Sequence, residues 1–207
     1  MTKLLCLLIS FLFLNYSDFQ RDIVDSDYAI TCARTIDGVN ATLTIDKVNF
    51  SGPVRITAVH TYDVNIYDPI LLGYDVYVYR FDVTKQAGVG ELVYAETWID
   101  FTRDDTGFVN TGSDFTGAVI YRTTLTPDTG IDLEAGRYWI GVRAILGLHE
   151  NGDIGGKVCQ IMDEKTNGGI KWCLFVDESG IPQRQWVTVF GRRLNFPFEI
   201  AYEAGAP

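Results

Sequence analysis

The chain has 207 residues, long enough for one domain with a full core. Its net charge is −10, and that excess of acid argues against nucleic acid, which needs Lys and Arg to neutralise phosphate, and against an anionic membrane surface. The 11 Tyr, 12 Phe and 20 Gly suit pleated, half-buried surfaces joined by tight turns.

The first seventeen residues read as a secretory leader. Lys3 precedes an apolar run from Leu4 to Leu14, and polar residues follow. The run is too short to cross a bilayer, which takes about 20 residues. Residues 1–20 are therefore expected as a signal peptide, cleaved between Ser17 and Arg21. The mature chain is expected outside the cell with no membrane span. Residues 21–42 follow as an extended, Asp-rich N-terminal leader, and 43–207 as the folded domain.

Secretion permits disulfides. With Cys6 removed, Cys32, Cys159 and Cys173 remain. Cys159 and Cys173 bracket the Asn167-Gly168-Gly169 turn and are the expected pair. Their bridge would stabilise by roughly 3 kcal/mol in the chain-entropy view. Cys32 with either of them is the alternative. No C-x-x-C is present and the two histidines stand apart, so the pattern is not that of a zinc site.

The rest of the chain is a succession of strands. Thr42–Phe50 alternates apolar and polar, and after the Ser51-Gly52-Pro53 turn Val54–Tyr67 alternates again. Tyr74–Val83 is a third strand, with Tyr74, Val76 and Val78 opposite Asp75, Tyr77 and Tyr79. Glu91–Phe101 is a fourth. Thr102–Gly117 is polar and reads as a long loop, and Ala118–Leu125 as the next strand. The stretch Ile131–Leu146 organises the chain: after the turn Leu133–Gly136, Tyr138, Ile140, Val142 and Ala144 take one face, and Arg137, Trp139, Gly141, Arg143 and Ile145 the other. Lys157–Met162 and Ile170–Val176 are expected to pair as a hairpin across the Asn-Gly-Gly turn. Gln185–Phe190 and Phe196–Tyr202 close the domain. No helical period of useful length occurs. The fold class is all-β, an antiparallel β-sandwich with little helix.

No catalytic pattern stands out. There is no G-x-S-x-G, and His149-Glu150 lacks a second His at the spacing a zinc protease needs. His60 reads as a core or edge residue. Asp132 and Glu134 read as solvated turn acids. Asp104, Asp105 and Asp114, close to Asn110 in the polar span, are the candidate ligands of a structural calcium, and no other cofactor is expected. Among the aromatics, Trp98, Trp139, Trp172 and Trp186, with Tyr77 and Tyr79, are either sheet-packing residues or a stacking platform for sugar rings. Trp98, Trp139, Tyr77 and Tyr79 are the candidate ligand-binding residues.

One segment resembles a known module. Ile131, Leu133, Ala135, Gly136, Tyr138, Trp139 and Ile140 follow the hydrophobic-x-Leu-x-Ala/Pro-Gly-x-Tyr/Phe-Trp-hydrophobic pattern. It recurs in jelly-roll-like β-sandwich modules of secreted and surface-anchored bacterial proteins. The likeness runs roughly from Leu43 to Tyr202. It implies a jelly-roll-like fold and an extracellular location, with a binding or structural part to play. The expected function is a non-catalytic, secreted binding or surface-interaction module. Its partner is expected to be a glycan or other extracellular surface ligand. The alternatives are a structural subunit of an extracellular assembly, which would form homo-oligomers, and a jelly-roll hydrolase or lyase.

Overall fold

A computed structural model describes residues 28–38, 41–110, 116–164, 171–174, 176–188, 194–195 and 199–204. The expected signal peptide, at 1–20, lies outside the described residues. The all-β expectation holds: among the described residues the only helical turn is a 3₁₀ turn at Gln86–Gly88.

The strands are β1 (Tyr28–Thr31), β2 (Ala33–Thr35), β3 (Thr42–Phe50), β4 (Val54–Tyr67), β5 (Leu71–Phe81), β6 (Val89–Val109) and β7 (Val119–Thr126). They continue with β8 (Ile131–Leu133), β9 (Gly136–Leu146), β10 (Gly156–Glu164), β11 (Lys171–Leu174), β12 (Val187–Thr188), β13 (Leu194–Asn195) and β14 (Glu199–Ala204). Hydrogen bonds connect them in the order β1-β10-β4-β7-β6-β5-β9-β3-β11-β12. Apart from the parallel pair β2–β9, neighbours are antiparallel.

The result is one continuous, nearly closed, barrel-like sheet, where the sequence suggests two separate layers. Strand β6 makes the continuity. Its first part pairs with β5 and its second part with β7, so one 21-residue strand serves both halves. We call β1, β10, β4 and β7 half A, and β5, β9, β3 and β11 half B. The span after Phe101, expected as loop, is strand as far as Val109. Its polar residues alternate across β7, where backbone pairing rather than apolar content fixes the strand.

The inner faces of both halves enclose the main core, with Ile56, Val59 and Leu125 from half A and Val76, Val78, Ile140 and Val142 from half B. The predicted alternation of β9 is therefore correct: Tyr138, Ile140, Val142 and Ala144 face inward. In β4 the alternation changes phase. Tyr202 pairs with Ile56 but Ala201 with Ala58, which leaves Thr57 as an extra residue. Ile56 and Val59 consequently both face inward, and His60 does not share the face of Val54 and Ile56.

The seam of the barrel lies between the Thr31–Ala33 corner and β9. The Val142 carbonyl accepts from Cys32 Sγ at 2.9 Å and from Gln160 Nε2 of β10 at 3.1 Å. The expected hairpin between Lys157–Met162 and Ile170–Val176 does not form: β10 pairs with β1, β4 and β13, and β11 with β3 and β12. Cys159 and Cys173 accordingly sit in different core clusters, in half A and half B, as buried thiols with no bridge between them. Burial pushes the Cys32 thiol up to about 11 and raises Cys173 as well.

The candidate functional site on the outer face of half B

The outer face of half B carries three of the four aromatic candidates: Tyr77, Tyr79 and Trp139. Strand alternation puts them there, but it does not put them in water. The segment 176–187 crosses over them and closes a second core with Leu43, Ile45, Val176 and Trp186. Trp139 is only 3% exposed and donates from Nε1 to the Gly88 carbonyl at 2.9 Å. Tyr79 donates to the Gly180 carbonyl at 2.6 Å, and Tyr77 to the Glu178 carbonyl at 3.0 Å. These three residues are packing and anchoring groups, not a solvent-facing platform. The covering segment is far away in sequence, so local alternation could not reveal it.

Gly180 lets that segment approach. Its φ is +78°, and a methyl there would come within 2.5 Å of the Tyr77 ring.

Under the same segment lies a charged cluster. Asp75 on β5 and Arg143 on β9 are register partners, and both are fully buried. Arg34 on β2 reaches Asp75 from the far side of β9, with Nε 2.7 Å from Oδ2 and Nη2 3.2 Å from Oδ1. Arg143 Nε donates to Asp75 at 3.0 Å. Its Nη1 donates to the Val176 carbonyl at 2.6 Å and its Nη2 to the Tyr77 hydroxyl at 2.5 Å. Glu178 accepts from Arg34 Nη1 at 3.1 Å. Two cations thus meet two carboxylates. Burial works against the charge on Arg34, but Asp75 and Glu178 outweigh it and raise its pKa. Burial raises Tyr77 too, and Asp75 adds to the rise. The cluster ties β2, β5, β9 and the covering segment together. Sequence reasoning missed Arg34, Asp75, Arg143 and Glu178; the usable signal was an Asp on β5 and an Arg on β9, each within a run of buried residues.

Trp98 is different. It is 49% exposed and stands in a bulge: β5 advances from Tyr74 to Val76 while β6 retreats from Ile99 to Glu96, one residue more. Its φ is +61°, a conformation that costs a non-glycine residue roughly 1–3 kcal/mol. The bulge turns the indole over β5. A methyl at Gly73 would lie 3.2 Å from its Cε3 and 3.5 Å from Ile145, so glycine leaves room for the ring to lie across the strand. The Arg34 guanidinium stands 5.6 Å from the ring centroid, against the same indole. Ile36, just beyond β2, and Leu72, beside Gly73, are exposed as well.

The two described calcium candidates, Asp104 and Asp105, do not converge. Asp104 and Asp105 pair with Arg122 and Tyr121 on a regular stretch of β6, so their side chains leave opposite faces. Asp105 instead accepts the Gly107 amide at 2.7 Å. Asp114 lies outside the described residues. Among the described residues no three His, Cys, Asp or Glu groups come together as a metal set, and no helix is long and apolar enough to cross a membrane.

The chain matches no protein-family model, no curated protein and no solved structure.

Proposed function

We propose that this protein is a secreted, non-catalytic binding module that takes a ligand with a flat apolar face, carbohydrate first, on Trp98. In this reading residues 1–20 are its leader, its resemblance to bacterial surface modules reflects a shared extracellular setting, and its partner is a glycan or another surface ligand.

One observation carries the reading. Trp98 is a large aromatic held half in water by a strained backbone, a glycine beneath the ring and a buried arginine beside it. Local propensity would put a glycine in that bulge, and hydrophobic burial would put the indole inside. An indole face of this kind stacks on the apolar face of a sugar ring, and the buried Arg34 packs against the same indole and holds it in place.

The test is retention on a glycan array by the purified chain. Trp98→Ala is expected to lose retention by about tenfold or more while keeping the unfolding midpoint of the wild type. Equal retention by Trp98→Ala, or retention by no glycan at all, would sink the proposal.

A further inference from the structure

The covering segment leaves a groove at the end of half B away from Trp98, about 20 Å along β5 at a strand's rise per residue. Its volume is about 440 Å³, within the range of small-molecule sites. Val89, Leu92 and Trp186 make an apolar floor, and Trp186 is fixed edge-on against Tyr79 with 5.4 Å between ring centroids. Lys85 stands on one rim and Arg184 on the other.

Both walls are pinned. The loop at 82–88 is held by the Asp82 amide on the Gly88 carbonyl at 3.0 Å and by Trp139 Nε1 on the same carbonyl. The opposite wall is held by Tyr79 on the Gly180 carbonyl and by Cys173 Sγ on the Arg184 carbonyl at 3.2 Å. The amides of Gln86 and Gln185 meet across the rim at 3.0 Å. The groove is therefore preformed, which lowers the ordering cost of binding.

Its charge runs against that of the whole chain. The net charge is −10, yet no carboxylate lines the groove. Of the acids that flank it in sequence, Asp82 accepts from the Thr84 amide and hydroxyl and also attracts Lys85, Glu91 stands 3.5 Å from Arg80, Asp177 accepts from the Ile181 amide and Gln183 Nε2, and Glu178 accepts from Arg34. A cationic rim over an apolar floor, on a chain of net negative charge, favours an anionic partner with an apolar body. We infer that the groove is a binding site, separate from Trp98, for a small organic anion: a flat apolar body lies on Val89, Leu92 and Trp186, and its carboxylate or sulfonate sits between Lys85 and Arg184.

The experiment titrates the full chain with 8-anilinonaphthalene-1-sulfonate and reads dye fluorescence, with near-ultraviolet circular dichroism reporting the native fold of every variant. Saturable binding to a single site is expected. Lys85→Glu and Arg184→Glu should each weaken it by about tenfold, and added salt should weaken it further. Lys157→Glu makes the same charge change on an exposed position of half A and should leave the affinity within about twofold. The uncharged N-phenyl-1-naphthylamine should bind weakly and ignore the rim substitutions. The inference is overturned if Lys85→Glu and Arg184→Glu, natively folded, bind the sulfonate as the wild type does. It is equally overturned if Lys157→Glu weakens binding as much as they do, or if the neutral dye binds as tightly as the charged one.

Discussion

Asp63 and Asp75 are both fully buried and both meet arginine, yet the two sites differ in kind. Asp75 lies beneath the covering segment of half B, between two arginines that are themselves buried. Asp63 points into the barrel from β4. It accepts from Tyr74 Oη at 3.1 Å, from Thr123 Oγ1 at 2.7 Å and from Arg103 Nε at 3.0 Å, while Arg103 remains 12% exposed and stacks 3.8 Å from the Tyr121 ring centroid. At Asp75 the carboxylate is the counter-charge that two guanidiniums share. At Asp63 hydroxyls do much of the solvating, and one arginine reaches in from the rim. Two equally buried carboxylates can thus have opposite roles, one neutralising its neighbours and the other being accommodated by them.

The largest expected effect tests the first role. Asp75→Asn removes the charge that Arg34 and Arg143 share and leaves them buried together. The loss is expected at roughly 3–5 kcal/mol, read from urea unfolding. A loss below about 1 kcal/mol would mean that the backbone carbonyls of Val176 and Asp177, which accept from Arg143 Nη1 at 2.6 Å and Nη2 at 3.2 Å, suffice to hold it.

The middle effect tests the second role and has a pH signature. Burial raises the pKa of Asp63 above its ordinary value, against the pull of Arg103 and the two hydroxyls. Between the ordinary value and the raised one, the folded protein keeps a proton that the unfolded chain has released. Stability is therefore fully present below the ordinary carboxylate range and falls as pH rises through that window. Asp63→Asn is expected to flatten this slope, at a cost of roughly 1.5–3 kcal/mol for the altered bonds to Arg103. Urea midpoints of both proteins from pH 4 to pH 7 decide the matter, and parallel curves would contradict the assignment.

The smallest effect sharpens the contrast. Glu178 completes the charge balance at Arg34, but its side chain is 62% exposed, so water screens the pair. Glu178→Gln is expected to cost under about 1 kcal/mol. A cost near that of Asp75→Asn would show that the cluster depends on both acids.

Much of the fold was legible, because alternation is a local property. β3, β4 and β9 appear within a residue of where the sequence predicts them. What was not legible depends on partners distant in sequence. Asp63 was hidden by the extra residue at Thr57, which reverses the face of β4 beyond it. Trp139, Tyr77 and Tyr79 were correctly placed on the outer face of their strands but not beneath the segment that covers them. Trp98 is exposed, but its bulge and its reversed φ have no marker in the local sequence. The Arg34–Asp75–Arg143 cluster joins three strands, and no window on the chain contains it.

The seam at Val142 also sets an order of events. Cys32 reaches Val142 across 110 positions, and β2 pairs with the same strand beyond it. On a ribosome adding roughly 5–20 residues per second, the N-terminal strands wait on the order of ten seconds for their partner to emerge. During that interval their backbone donors and acceptors are an open edge, exposed to any other nascent strand. Closure of the barrel is thus a late step in this chain's synthesis, and a fragment released before β9 carries an edge that nothing in it can cover.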